Sequence, residues 1–502
     1  MNKYQLLLAF SILVLFTSCR TSEPFVSGGD QWNRSTELEE RPLFTAEFEP
    51  SEFAGRRAAV MEQIGDSAIA VIQGAPSPRG YLPVRQNNEF YYLSGIESPH
   101  AYLILDGYNR ETIIFLPDRD ERREYGEGKV LSLQDSTLIK ELSGIETVKP
   151  LSSIVSELRS FNANNLYYTL YTHQSPYEEQ AMTRSMAYRR LSDRLEDPLD
   201  NRPARFEHLI AEIQKTAPIL DIENLDPIVD EMRKIKSEAE LTLIETSTRL
   251  HGEAILEAMR STEPGVKAYE LEAVAKYIYW KHNIQGDAYY PLIHIGPEAF
   301  MNHYHDSTRP ARNGDMILMD YGAYYEYYSS DMARMWPANG RFNDVQRELY
   351  TFYLTFYEAV LSSIEPGLTP QQVMQNALEI TDAAMEDFTF TAGHRREAAN
   401  RFLSSYRRSA ENQRMTLGHG VGLSVHDVGD YTGPIEPGMV FVIEPQFRIP
   451  EENIYIRLED MIVVTEDGVK IISDFVPRDI RSIEGIMRDR GLLQRHPFKL
   501  DE

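Results

Sequence analysis

Three apolar runs in the carboxy-terminal half of the chain lead straight into an acid. Met316-Ile317-Leu318-Met319 is followed by Asp320, and Val440-Phe441-Val442-Ile443 by Glu444. Ile454-Tyr455-Ile456-Arg457-Leu458 meets Glu459 at the head of Asp460-Met461-Ile462-Val463-Val464. Runs of this kind read as strands buried on both faces. A carboxylate at the end of such a strand is costly to bury unless it is paired, hydrogen-bonded or bound to a metal. Any fold of this chain must therefore bring partners to these acids.

A fourth acid, Asp331 in Ser330-Asp331-Met332, lies eleven residues after Asp320, across an aromatic, turn-capable segment from Gly322 to Tyr328. Two carboxylates on neighbouring strands of one hairpin can converge on a point. Taken singly, Asp320 reads as a turn cap and Asp331 as solvated. Gly418-His419-Gly420-Val421-Gly422 adds an imidazole among glycines that permit close backbone approach. Arg457, two residues before Glu459, shares its strand face and is expected to fix the Glu459 carboxylate. Four carboxylates and one imidazole suit a pair of hard divalent ions. A single imidazole and no thiolate favour Mn2+, with Co2+, Fe2+ or Zn2+ as alternatives.

In this order and context Asp320, Asp331, His419, Glu444 and Glu459 resemble the five metal ligands of the pita-bread metallopeptidases, the family of aminopeptidase P, prolidase and methionine aminopeptidase. Arg85-Gln86-Asn87-Asn88-Glu89-Phe90-Tyr91-Tyr92-Leu93-Ser94-Gly95 resembles a signature of the amino-terminal domain of aminopeptidase P and prolidase, a domain that methionine aminopeptidases lack. The resemblance implies an α+β chain, with an α/β aminopeptidase P-type domain over residues 41–225 and a pita-bread catalytic domain over 226–490. It implies two ions about 3.5 Å apart sharing a water. Asp331 and Glu459 would bridge them, Asp320 would complete one site, and His419 with Glu444 the other. Glu444 would also carry a proton to the leaving nitrogen.

His303, seventeen residues before Asp320, and His426, seven after His419, match family positions where histidines hold the scissile peptide and stabilise its tetrahedral intermediate. His305 is a lower-ranked neighbour. The implied activity is that of an Xaa-Pro aminopeptidase, releasing the first residue of peptides with proline second. Prolidase, which takes only dipeptides, is the rival within the enzyme class. A peptide-binding relative that has lost catalysis is disfavoured by the presence of all five ligands. Two departures bear on specificity: Met415 stands four residues before His419 where relatives carry histidine, and Gln446 follows Glu444-Pro445 where they often carry glycine.

The formal net charge of −26 excludes nucleic acid as a natural partner, since phosphates would be repelled. The one cysteine, Cys19, follows a Lys3-bearing start and an apolar stretch from Leu6 to Phe16. That pattern is a secretory signal too short for a comfortable span. Ending in Leu15-Phe16-Thr17-Ser18-Cys19, residues 1–19 resemble a bacterial lipoprotein signal, which implies a lipid anchor at Cys19 and an exported, membrane-anchored protein facing the periplasm or cell exterior. Residues 20–40 read as a flexible tether. The oligomeric state is left open between monomer and homo-oligomer.

Elsewhere the pattern predicts a helix capped by Ser51, strands at 68–72, 101–105 and 112–116, and an exposed loop over 119–127. Ser237 with Glu240 and Asn343 with Gln346 form helix-starting pairs. His251, on an apolar stripe, reads as a satisfied core histidine.

Overall fold

The computed structural model describes residue 44 and residues 47–78, 80–176 and 183–496. The expected signal and tether lie outside them. Among the described residues no helix is long and apolar enough to cross a membrane.

The apolar runs of the amino-terminal part become a mixed six-stranded sheet. Its strands are β1 (Ala68–Gln73), β2 (Tyr102–Asp106), β3 (Glu111–Leu116), β4 (Thr147–Pro150), β5 (Thr169–Thr172) and β6 (Asp221–Asn224), in the order β4-β3-β2-β1-β5-β6. Strand β2 runs antiparallel to both neighbours, and the remaining pairs are parallel. Ile69, Val71, Ile104 and Phe115 on one face pack against Phe161 and Ile213 of the covering helices. Two expectations are corrected. The first helix, Pro50–Ile64, starts two residues earlier than a Ser51 cap allows: Glu49 is its N-cap and Pro50 supplies a preset φ at the first turn. Within 119–127, the Asp120 side chain accepts the Arg123 amide and starts a short exposed helix, Glu121–Glu127.

Helices followed by a set of antiparallel strands then occur twice, an order not legible in the residues themselves. In the first half, helices Glu238–Arg260 and Ala268–Lys281 precede β7 (Gly286–Asp287), β8 (Leu292–Ile295), β9 (Met316–Tyr321), β10 (Ala323–Tyr325), β11 (Tyr328–Ser329) and β12 (Met332–Pro337). In the second, helices Asp344–Ser362, Pro370–Met385 and Gly393–Ala410 precede β13 (Val440–Ile443), β14 (Gln446–Ile449), β15 (Ile454–Arg457), β16 (Asp460–Thr465) and β17 (Gly468–Ile471). Both expected capping boxes are present. They satisfy backbone donors that a helix start otherwise leaves open. His251 is fully buried, its Nδ1 2.5 Å from the Tyr279 hydroxyl.

Register delivers the acids. Strand β9 lies between β8 and β12, with Ala333 opposite Asp320. Ile443 pairs with Asp460, so Glu444 and Glu459 leave β13 and enter β16 side by side. The Glu459 amide donates to the Ala333 carbonyl at 3.0 Å and joins the two halves at that point.

Candidate metal centre

His419 sits in a loop pressed against β13. The Val442 amide donates to the His419 carbonyl at 3.0 Å, and Val421 donates to Val440 at 3.1 Å. That approach requires glycine: a Cβ on Gly418 would run into the Val442 carbonyl. The His419 Nδ1–H donates to the Gly420 carbonyl at 3.2 Å, which leaves Nε2 with its lone pair. Nε2 stands 3.6 Å from Asp331, 3.9 Å from Glu444 and 3.9 Å from Glu459.

Asp331, His419 and Glu459 thus form one cluster whose ligand atoms all lie within 4.8 Å of one another. Asp320 is brought to its edge by the Tyr289 hydroxyl, which lies 2.5 Å from both Asp320 Oδ1 and Asp331 Oδ1. One phenolic proton serves both carboxylates, donating to one at a time.

The cluster is electrostatically unfavourable by itself. Burial pushes Asp331 and Glu459 well above the ordinary carboxylate range, and their mutual repulsion with Glu444 adds to the shift. Burial also lifts Glu444 to about 7 and lowers His419 to about 3. A lone pair aimed at three such carboxylates is the donor set that a divalent cation would satisfy, so these residues fit the ions expected of them.

The expected partner of Arg457 is corrected. Gln446 pairs with Arg457 in the β14–β15 ladder, which carries the guanidinium toward the Glu444 end of the site. Its Nη1 donates to Glu444 at 2.9 Å and its Nη2 forms an ion pair with Asp320. Glu459 feels it only as a neighbouring charge.

His426 stacks on His419, with ring centroids 3.7 Å apart. Packing of its ring lowers the His426 pKa, and nearby His303 adds to the effect. Both His303 and His426 keep solvent-facing surface. His305 is exposed and lines a neighbouring pocket of about 180 Å³ with Tyr290 and Tyr304. Met415 is buried. Gln446 has a role in the structure: its Oε1 accepts from Asn302 at 3.0 Å and ties the His303 loop to β14.

Several groups escaped the sequence reading. Tyr289 and His294 carry no spacing signal. His294 is fully buried on β8, with Nε2 3.0 Å from the Tyr304 carbonyl. Arg334, also fully buried, pairs with Asp460 at 2.6 Å and donates to the Glu459 carbonyl at 2.7 Å. The Tyr353 hydroxyl donates to the Pro445 carbonyl and accepts the Leu458 amide, clasping the segments that bear Glu444 and Glu459.

Residues 242–466 match the model of metallopeptidase family M24, and residues 53–171 match the aminopeptidase P N-terminal domain. Over 463 residues the chain is 29% identical to Xaa-Pro aminopeptidase of Escherichia coli strain K12, covering 88% of this chain and 98% of that one. Solved E. coli aminopeptidase P with the inhibitor Pro-Leu is 27% identical, with a TM-score of 0.69, covering 88% of this chain and 99% of that chain. A solved chain from Bacillus anthracis has a TM-score of 0.74 at 24% identity, covering 89% of this chain and all of that one, a likeness of fold.

Proposed function

An M24 metallopeptidase domain behind an aminopeptidase P N-terminal domain makes this chain a member of the aminopeptidase P metallopeptidases, and from that premise we propose that it is an Xaa-Pro aminopeptidase. It removes the first residue from peptides with proline second. The observation that carries this reading is the convergence of His419 Nε2 with Asp331, Glu444 and Glu459, and with Asp320 one tyrosine away.

Asp320, Asp331, His419, Glu444 and Glu459 are the residues that would hold the divalent ions, for which manganese is the proposed identity. Bound there, such ions supply a water activated near neutral pH and polarise the scissile carbonyl. The chain's own groups do the rest. His426, kept neutral by burial and by nearby His303, presents an N–H to the oxygen that gains charge in the transition state. His303 holds the same region of the peptide from the opposite loop. Glu444 accepts a proton and delivers it to the leaving proline nitrogen, while Arg457 fixes the orientation of its carboxylate. Tyr289 holds Asp320 and Asp331 in register.

The test is a panel of Xaa-Pro dipeptides and Xaa-Pro-Xaa tripeptides, offered to chelated protein and to protein reloaded with manganese. Tripeptide cleavage that returns with the metal supports the reading. Cleavage of dipeptides alone would make the protein a prolidase, and full activity in verified metal-free protein would sink the metal mechanism.

The export reading rests on Leu15 to Cys19 followed by a polar tether. Wild-type protein in its native bacterium should take up labelled fatty acid and sediment with membranes, and Cys19→Ser should do neither. A soluble, unlabelled wild type would end that proposal.

A further inference from the structure

The Arg85–Gly95 stretch reaches past its own domain into the loop that carries His419 and His426. Residues Asn88–Ser94 form a short helix whose every residue is buried. Asn88 Nδ2 donates to Ser424 Oγ at 2.9 Å, inside that loop. Glu89 accepts from Arg233 Nη1 at 3.0 Å, and Arg233 Nη2 donates to Asp427 at 2.5 Å. Asp427 is the residue after His426, and its other oxygen lies 3.2 Å from Lys236 Nζ.

The Arg233, Asp427 and Lys236 side chains are each no more than 1% exposed. Burial raises the Glu89 carboxyl, but Arg233, His173 and Arg184 outweigh it and hold the group ionised. Gly422 leaves the room that Asp427 occupies, since a Cβ there would strike its carboxylate. The Asp427 amide donates to the Gly420 carbonyl at 2.8 Å, so whatever fixes Asp427 fixes both ends of the His419–His426 turn.

On the catalytic hairpin the same stretch is held again. The Gln86 amide donates to the Tyr327 hydroxyl at 2.8 Å, and Tyr91 stacks on Tyr327 with centroids 3.6 Å apart. A domain that only overhung the site would need none of these buried polar ties.

We propose that Asn88 and Glu89 are positioning residues for catalysis, holding the stacked His419–His426 pair in place from the amino-terminal domain through Ser424 and the buried Glu89–Arg233–Asp427 chain. The proposal rests on the peptidase reading only for its kinetic arm. Its structural arm, hydrogen exchange of the 418–428 amides, needs no substrate.

Glu89→Gln keeps the shape and removes the charge. It should speed exchange across 418–428 by about tenfold while β9 and β12 stay protected, because the loop opens locally. It should also lower kcat/KM on an Xaa-Pro-Xaa peptide by about tenfold with metal content retained, and add no further loss once His426→Ala is present, as expected of residues acting through one another. Asn88→Ala, which removes the tie to Ser424, should show the same pattern more weakly, and it decides the matter if Glu89→Gln does not fold. Unchanged exchange over 418–428, or losses that multiply with His426→Ala, would overturn the proposal. A wild type that cleaves no peptide refutes the peptidase reading instead and leaves the exchange arm to judge this one.

Discussion

The ring of His426 lies on the ring of His419, with an interplanar angle of 19°. Burial lowers both pKa values; the neighbouring His426 lowers His419 further, and His303 does the same to His426. The pair therefore works neutral: His419 through its Nε2 lone pair, His426 as a hydrogen-bond donor. His426→Ala should cut kcat by about 10²-fold, the usual cost of an oxyanion donor. Metal content, measured by elemental analysis, should be unchanged. Loss of metal in that variant would mean the stack supports the ligand rather than the substrate.

Glu444 provides a pH prediction. In the metal-free chain burial lifts its carboxyl from 4.5 to about 7. A folded-state value above the unfolded one contributes stability that is fully present below about pH 4.5 and lost as pH rises through about 7. With 26% of the side chain exposed, the effect stays below an upper bound of about 3 kcal/mol. Metal-free Glu444→Gln should accordingly melt above metal-free wild type near pH 8, and the two should converge near pH 5. His419, shifted the opposite way, is common to both proteins and cancels from the comparison. Parallel melting curves across that range would contradict the burial argument.

Arg334 and Asp460 form an ion pair in which neither side chain is exposed. Removing one partner strands the other charge in the core, at a cost of about 3–5 kcal/mol. Arg334→Ala should show that loss in denaturant unfolding. It should also weaken metal binding, because the same guanidinium holds the Glu459 carbonyl. Arg334→Lys, with a point charge in place of the planar fork, should recover only part of either.

The loop chemistry has a matched pair of glycines to test it. Gly418→Ala pushes a methyl into the Val442 carbonyl, whereas Gly433→Ala meets nothing within 4 Å. The first should displace His419 and lower metal occupancy. The second should alter melting by less than about 0.5 kcal/mol. Equal behaviour of the two would mean that close backbone approach is not what the glycine before His419 supplies.

What could be read from the residues depended on how local the cause was. An acid ending a buried strand is a local contradiction, so Asp320, Glu444 and Glu459 stood out, and capping pairs three residues apart declared the helix starts. The partner of Arg457 did not, because strand alternation predicts a face and the ladder to β14 decides which neighbour lies across it. Arg233 reaches Glu89 144 residues earlier and Asp427 194 residues later. No window of sequence contains that chain. The recurrence of helices followed by strands was hidden for a similar reason, since it is an order of elements and not of side-chain identities.

Met415 is the departure most open to experiment. It lies buried at the start of the segment that leads to His419, with its amide donating to the Asn412 carbonyl at 3.0 Å. A thioether packs adaptably and offers no strong hydrogen bond, whereas an imidazole there would present a directed donor or acceptor. Sites that hydrogen-bond their substrate discriminate far more sharply than apolar walls do, since a wrong substrate leaves a buried polar group unpaired. The wild type should therefore cleave Xaa-Pro-Xaa with weaker preference over Xaa-Ala-Xaa than Met415→His does. An increase of about tenfold in the ratio of kcat/KM values is the expected size, corresponding to roughly one hydrogen bond. Metal content should match between the two proteins, because no ligand is touched. If the wild type already rejects alanine as strongly as the variant, proline selection lies elsewhere, and the His303 loop tied down by Gln446 is the next place to substitute.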